Sequence, residues 1–303
     1  GLDAEIEELE KGIQDFQRKV EKVGRAAQER VSSIDDVTRR LFQRLIEPLA
    51  LASSSSKRLI IAPHGRLHHV PFAALNDSKE YLIDRWAIRI VPSAATLMYL
   101  KKEKAVKLGQ LLVLGNPDLD NPQMDLPAAE EEAYDVGRRL SPSKVLVRKQ
   151  ASKNAVKRLG DQFEMLHVAS HGEFDAKEPM RSALLLAKDG ADDGRLTVGD
   201  VYSMRLNSGL VTLSGCLTGY GMVNSGDDVI GLTRGFFYAG SQSIVSSLWA
   251  VADKPTSQLM ASFYTKVGKN SKAEALRLAQ VETRATWQHP FFWAAFQLNG
   301  LGD

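Results

Sequence analysis

A cysteine and a histidine held together can cut an acyl bond. The thiolate attacks, and a nearby imidazole takes the thiol proton and later protonates the leaving amine. The chain has one cysteine, Cys216, which follows the apolar run Leu210–Leu213 through Ser214 and Gly215. A histidine, His171, follows a second apolar run, Met165–Ala169, through Ser170, and Gly172 comes next. A glycine has no side chain to keep a substrate carbonyl away. The N–H groups of Gly172 and Cys216 are therefore candidate oxyanion-hole donors, an effect worth about 3 kcal/mol per donor. No carboxylate at a clear spacing completes a triad, which leaves a Cys–His dyad. The plainer reading of the same residues is structural, because a lone cysteine is most often a small buried hydrophobe.

The dyad requires strands to carry its two residues, and the sequence offers two separate ones. Apolar, β-rich runs occur at 58–62, 87–92, 111–115, 145–148, 165–170, 183–187, 210–214 and 244–249. Helical patterns lie at 94–101, 128–140, 153–159, 229–239, 255–267 and 272–283, and 292–298 reads as a last strand. Continuous apolar runs suit strands covered on both faces. Their alternation with helices predicts an α/β fold with a mainly parallel central sheet flanked by helices. In such sheets ligands bind beyond the carboxyl ends of the strands, where His171 and Cys216 fall.

Ahead of this lies a different pattern. Leu2, Ile6, Leu9, Ile13, Phe16, Val20, Val23 and Ala27 repeat at alternating steps of four and three, a heptad seam on a long N-terminal helix. That helix either forms a coiled coil or docking surface for a neighbouring module, or lies on its own domain. A second helix is expected over 34–52, followed by the serine run at 53–56. The organisation expected is an N-terminal amphipathic helix over 1–35 and a catalytic domain over 36–303. A leading Gly1 in place of Met leads us to expect a natural protein that extends further towards the N-terminus.

Composition narrows the classes. With 39 Lys and Arg against 37 Asp and Glu, the formal net charge is +2, which gives no electrostatic reason to expect direct binding of nucleic acid or of an anionic membrane. No apolar run is long enough for a transmembrane helix. One cysteine cannot form an intrachain disulfide or a cysteine-rich zinc site. This suits a reducing compartment, and a cytoplasmic location is expected. The glycine-rich tract after Cys216 lacks the Gly-Lys-Ser/Thr of a phosphate loop, which disfavours nucleotide binding. Ser214 lacks the flanking pattern of a serine hydrolase.

Many motifs, in order, resemble one family. They include 59–75 with Pro63, Gly65, Pro71 and Phe72, then 81–85, 91–93, 114–117 and 126–132. The histidine motif is His167–Phe174, with Pro179 and 182–184 downstream, and the cysteine motif is Leu213–Gly219, followed by 231–240. Ser247–Trp249, Asp253, Thr256, 275–280 and 289–296 complete the series. From about Val37 to Gly300 the chain resembles the CHAT domain family, caspase-like peptidases often joined to tetratricopeptide repeats. More remotely it resembles the wider group of caspases, separase, gingipains and legumain. The resemblance implies a caspase-haemoglobinase-like fold and a cysteine endopeptidase acting on a specific protein through His171 and Cys216, with no metal or organic cofactor. It also implies gating by a regulatory partner module, tetratricopeptide-type or another sensor, and for some relatives a role in bacterial defence or regulated cell death. The alternative is a catalytically inactive pseudoprotease that serves as a regulatory binding module. One departure is Gly215, where relatives commonly carry Ala.

Three acidic residues are candidates for substrate binding. Asp253 resembles the separase residue that meets a basic side chain before the cut, and would line the S1 pocket; it could equally cap the helix starting near Pro255. Asp228 either binds substrate or caps the helix near Val229, and Glu173 is either a substrate contact or a solvated loop residue. His64, His68 and His69 do not read as a metal site, because Pro63 and Gly65 oppose the regular helix that would align them. His289 reads as structural.

Overall fold

The structure, a computed structural model, describes residues 1–23, 34–51, 55–100, 108–175, 177–215, 217–218 and 230–303. Cys216 and Asp228 lie outside the described residues. In chain order the elements begin with α1 (Leu2–Val23), α2 (Ile34–Leu45), β1 (Arg58–Ile61), α3 (Leu82–Arg85), β2 (Ala87–Ile90) and α4 (Ala94–Leu100). Next come β3 (Leu111–Pro117), α5 (Pro127–Arg139), β4 (Ser143–Arg148), α6 (Lys153–Leu159), β5 (Met165–Ala169) and β6 (Gly172–Glu173). They are followed by β7 (Ala183–Leu185), β8 (Arg195–Thr197), α7 (Val198–Ser203), β9 (Leu210–Leu213), β10 (Leu217–Thr218) and α8 (Ile230–Tyr238). The last are β11 (Ser243–Ser247), α9 (Asp253–Lys266), α10 (Lys272–Thr286), α11 (Pro290–Trp293) and β12 (Phe296–Gly300).

The main sheet has eight strands in the order β1-β2-β12-β11-β9-β5-β3-β4. β11, β9, β5, β3 and β4 run parallel; β12 is antiparallel to β11 and parallel to β2, which pairs in parallel with β1. The mixed α/β fold with a mostly parallel sheet is therefore the one the sequence predicts. Successive residues of a strand point to opposite faces, and both faces are covered. Leu111 and Val113 of β3 join one buried cluster with residues of α1, α2, α5, α9, α10 and α11. Leu112 and Leu114 join a second cluster with residues of α6, α7 and α8. Each fully buried aliphatic side chain stabilises by about 1.5–3 kcal/mol, which accounts for the unbroken apolar runs of β3, β5 and β9.

Of the two readings of the heptad helix, the structure shows α1 lying on its own domain. Ile6, Leu9, Ile13 and Phe16 are buried in the first cluster. Glu5 and Glu8 pair with Arg44 and Arg40 of α2, and Glu10 pairs with Arg66 and His69.

Several sequence expectations change in detail. The helix predicted over 34–52 ends at Leu45 and gives way to a single 3-10 turn, Glu47–Leu49; Pro48 has no N–H for a continuing α-helix. The strand predicted at 292–298 is divided between α11 and β12, because Pro290 favours a helix start and His289 caps it, its Nδ1 accepting from the Phe291 N–H at 3.1 Å. A second, four-stranded sheet, β10-β6-β7-β8, gave little signal in the sequence, since β6 and β10 are each only two residues long. Among the described residues no helix is long and apolar enough to cross a membrane, and no group of three or more His, Cys, Asp or Glu could hold a metal ion.

Candidate active site

The parallel neighbours β11, β9, β5 and β3 end at one edge of the sheet, and the segments leaving them enclose a cleft of about 60 Å³. Leu126, Ala128, Ala129 and Glu132 come from the connection after β3 and from α5; Ser170 and His171 follow β5; Ser214 and Gly215 follow β9; Val251, Asp253 and Thr256 follow β11. The cleft thus has the position beyond strand carboxyl ends that α/β sheets reserve for ligands.

His171 is half-buried, and its Nε2 donates to the Met124 carbonyl at 3.0 Å. A neutral imidazole with Nε2 protonated leaves Nδ1 as its basic nitrogen. The acceptor that fixes the ring is thus a backbone oxygen, so a search for a third carboxylate in the sequence had nothing to find. Asn116 secures the segment that carries this oxygen. Its amide nitrogen donates to Asp125 at 3.0 Å and to Glu130 at 3.1 Å, and its carbonyl oxygen accepts from the Leu126 N–H at 2.8 Å. Arg148 of β4 pairs with both carboxylates. The hydrogen bond from Asn116, together with that from Arg148, holds the Asp125 carboxyl below its usual range.

The residues on either side of Cys216 are tied to those on either side of His171. The Ser214 N–H donates to the Val168 carbonyl at 2.8 Å, and Ser247 Oγ of β11 donates to the Gly215 carbonyl at 3.0 Å. A Cβ added at Gly215 would lie 1.9 Å from the Ser170 carbonyl oxygen, so an alanine there needs the two backbones to part. Beyond Cys216, β10 pairs in parallel with β6, Leu217 opposite Gly172. Gly172 is also paired with Leu184 of β7.

Glu132 and Asp253 face the same cleft with different surroundings. Glu132 is only 4% exposed, and its Oε1 accepts from His167 Nε2 at 3.0 Å. His167 is wholly buried in β5; its Nδ1 shares a hydrogen bond with the Tyr264 hydroxyl at 3.2 Å, and that hydroxyl donates to Thr212 Oγ1 at 2.9 Å. Asp253 lies in the first turn of α9, open to solvent, and no cation pairs with it among the described residues. Desolvation by the cleft wall and the charge of Glu132 raise its pKa. Ala252 occupies the cap position of α9 without a side-chain capping bond, so the capping role weighed for Asp253 is not what the structure shows.

Glu173 is not among the residues lining the cleft. It is exposed in β6, and its carboxylate pairs with Arg195 of β8. Sequence reasoning passed over Glu132, which stands in an acidic run but falls on the buried face of α5 with Ala133 and Val136. It also passed over His167, a polar residue inside an otherwise apolar strand. Either signal implies a buried polar group that needs a partner.

The chain matches the family model for the CHAT domain over residues 35–301. It is 30% identical to human Tetratricopeptide repeat protein 28 over 86% of this chain, and spans 13% of that relative's length. Among solved structures it is similar to the Saccharomyces cerevisiae separase–securin complex, with a TM-score of 0.52 and 16% identity over 78% of this chain and 15% of that one. It is likewise similar to the complex of Porphyromonas gingivalis RgpB pro- and mature domains, with a TM-score of 0.54 and 7% identity over 90% of this chain and 70% of that one. The fold is that of the caspase-like cysteine peptidases. With motifs, sheet order and family match in agreement, the chain belongs to the CHAT domain family.

Proposed function

We propose that the protein is a cysteine endopeptidase that cuts a specific protein substrate through Cys216 and His171. The observation that carries the reading is the pairing of their neighbours: Gly215 packs on Ser170, and Leu217 pairs with Gly172. Cys216 attacks the scissile carbonyl. His171, oriented by Met124, takes the thiol proton and returns it to the leaving amine. The amides of Gly172 and Cys216 receive the oxyanion, and Asp253 favours a basic residue before the cut. Asp228 remains a proposed substrate contact on the sequence argument alone.

A regulatory module, tetratricopeptide-type or another sensor, acts through α1. Phe16 of α1 stacks on His289 at 3.5 Å and packs on Phe291 at 5.4 Å. Trp249 Nε1 donates to the Phe291 carbonyl at 3.0 Å, and Trp249 leads into the Val251–Asp253 segment of the cleft. A partner seated on α1 therefore has a packed route to the substrate.

The test is proteolysis of a randomised peptide library by the wild type, Cys216→Ala and His171→Ala. Cleavage by the wild type alone is expected. Cleavage that persists in Cys216→Ala would refute the dyad. Silence from all three, with no labelling of Cys216 by an electrophilic peptide, would establish the competing reading of a pseudoprotease that binds a regulator.

A further inference from the structure

The cleft contains more negative charge than the dyad needs. Its titratable groups are Glu132 of α5, Asp253 of α9 and His171 after β5, with His167 behind Glu132. Two carboxylates in one small cleft repel each other, and a fold maintains that arrangement at a cost in stability unless a cation enters. The two are not equivalent. Glu132 is buried and fixed, whereas Asp253 is exposed. A charge in a low-dielectric wall acts on a ligand far more strongly than one screened by water and salt.

We infer that Glu132, held in place by the buried His167–Tyr264–Thr212 chain, is the charge that selects a cationic substrate side chain, and that Asp253 at the mouth is secondary. The inference rests on the cleft being a peptide subsite and names the residue that sets its preference. Two observations converge on it. His167 Nε2 holds the Glu132 carboxylate at 3.0 Å and so orients it. The Ser214 hydroxyl oxygen, in the same cleft lining, is buried with no hydrogen-bond partner among the described residues. Native proteins rarely leave such a group unsatisfied, and an ammonium or guanidinium group brings the donors that Ser214 and Glu132 both accept. His167, Tyr264 and Thr212 are positioning residues: they touch Glu132 or each other and not the substrate.

The test is binding, so that it is decided whether or not the chain cleaves. Fluorescent short peptides differing only in arginine against citrulline, its neutral isostere, are titrated into the full chain carrying Cys216→Ala. Arginine should be preferred, and Glu132→Gln should reduce that preference about tenfold or more, the scale of a lost charged hydrogen bond. Asp253→Asn should reduce it only about threefold or less, as expected of a screened surface charge. In the parent the preference should strengthen as pH rises through the raised titration of Asp253, and Glu132→Gln should move that limb to lower pH by removing one cause of the shift. No preference for arginine in the parent, or a preference abolished by Asp253→Asn, overturns the inference. Asp253→Asn decides the matter by itself if Glu132→Gln fails to fold. Arginine-selective binding with neither wild-type cleavage nor labelling of Cys216 would leave the inference standing and remove the peptidase reading; cleavage indifferent to charge would do the reverse.

Discussion

Two glutamate–histidine pairs, each with a buried histidine, lie in different regions of the protein. Under α1, Glu10 meets His69 at 2.7 Å and Arg66 at 2.6 Å. Under the cleft, Glu132 meets His167 at 3.0 Å. At α1 a permanent cation compensates the acid. Burial would raise the Glu10 pKa, but the hydrogen bond and charge of His69, with Arg66, outweigh it and pull the pKa below the usual range. The histidine there is the less well served: His69 Nε2 is buried with no hydrogen-bond partner among the described residues. At the cleft the histidine is bonded through both nitrogens, and it is the acid that faces open space. The first pair is a clasp that closes a surface. The second holds a charge rigid for something that arrives from outside.

The comparison can be broken most directly at the histidines. Removing one partner from a buried, fully bonded pair costs about 3–5 kcal/mol, so His167→Ala should lower the unfolding free energy measured by urea denaturation by that amount. His69→Ala should cost only about 1–3 kcal/mol, since Arg66 still compensates Glu10 and one unsatisfied nitrogen disappears. Equal losses would show that the two pairs do the same work.

The clasp can next be tested through Phe16, which is 4% exposed and packed on His289, Phe291 and Phe292. Phe16→Ala should cost about 3 kcal/mol in chemical denaturation, the low end for a buried phenylalanine. If α1 communicates with the cleft, the same change should also weaken arginine-peptide binding. A loss of stability with binding untouched would confine α1 to a structural role.

A smaller effect should appear with pH. Burial, with a minor contribution from Lys19, depresses the His289 pKa to about 3. A histidine depressed in the folded state is neutral there while the unfolded chain already binds the proton. Its stabilising contribution is present above the unfolded value near 6.5 and is lost as pH falls towards 3, at up to about 1.4 kcal/mol per pH unit. Between pH 6.5 and 5 the wild type should lose about 2 kcal/mol more than His289→Asn, which keeps a cap without the titration. Parallel curves would mean that His289 takes up its proton in the folded state as readily as in the unfolded chain.

Much of this protein is legible in its residues. Apolar runs covered on both faces require a layered α/β sheet, and their punctuation by Gly172 and Gly215 marks strand ends where backbones approach closely. The heptad step of α1 fixed its apolar stripe, although not what would cover it, because a stripe reads the same against another chain or against α11. The periodicity of α5 placed Glu132 on the buried side, yet a row of acids read in one dimension looks solvated.

The tertiary structure alone decided who meets whom at the cleft. The group that orients His171 is the Met124 carbonyl, and every residue has a carbonyl, so no sequence pattern can point to one. The His167 and Tyr264 side chains are 97 positions apart in the chain and 3.2 Å apart in space. Residue type and local spacing determined that a cysteine and a histidine would each follow an apolar strand, because strand burial is a local, periodic property. The crossovers of the sheet, which bring β3, β5, β9 and β11 to one edge, determined which carboxylate is buried, which is exposed and which hydroxyl has no partner among the described residues, because burial depends on every element packed nearby.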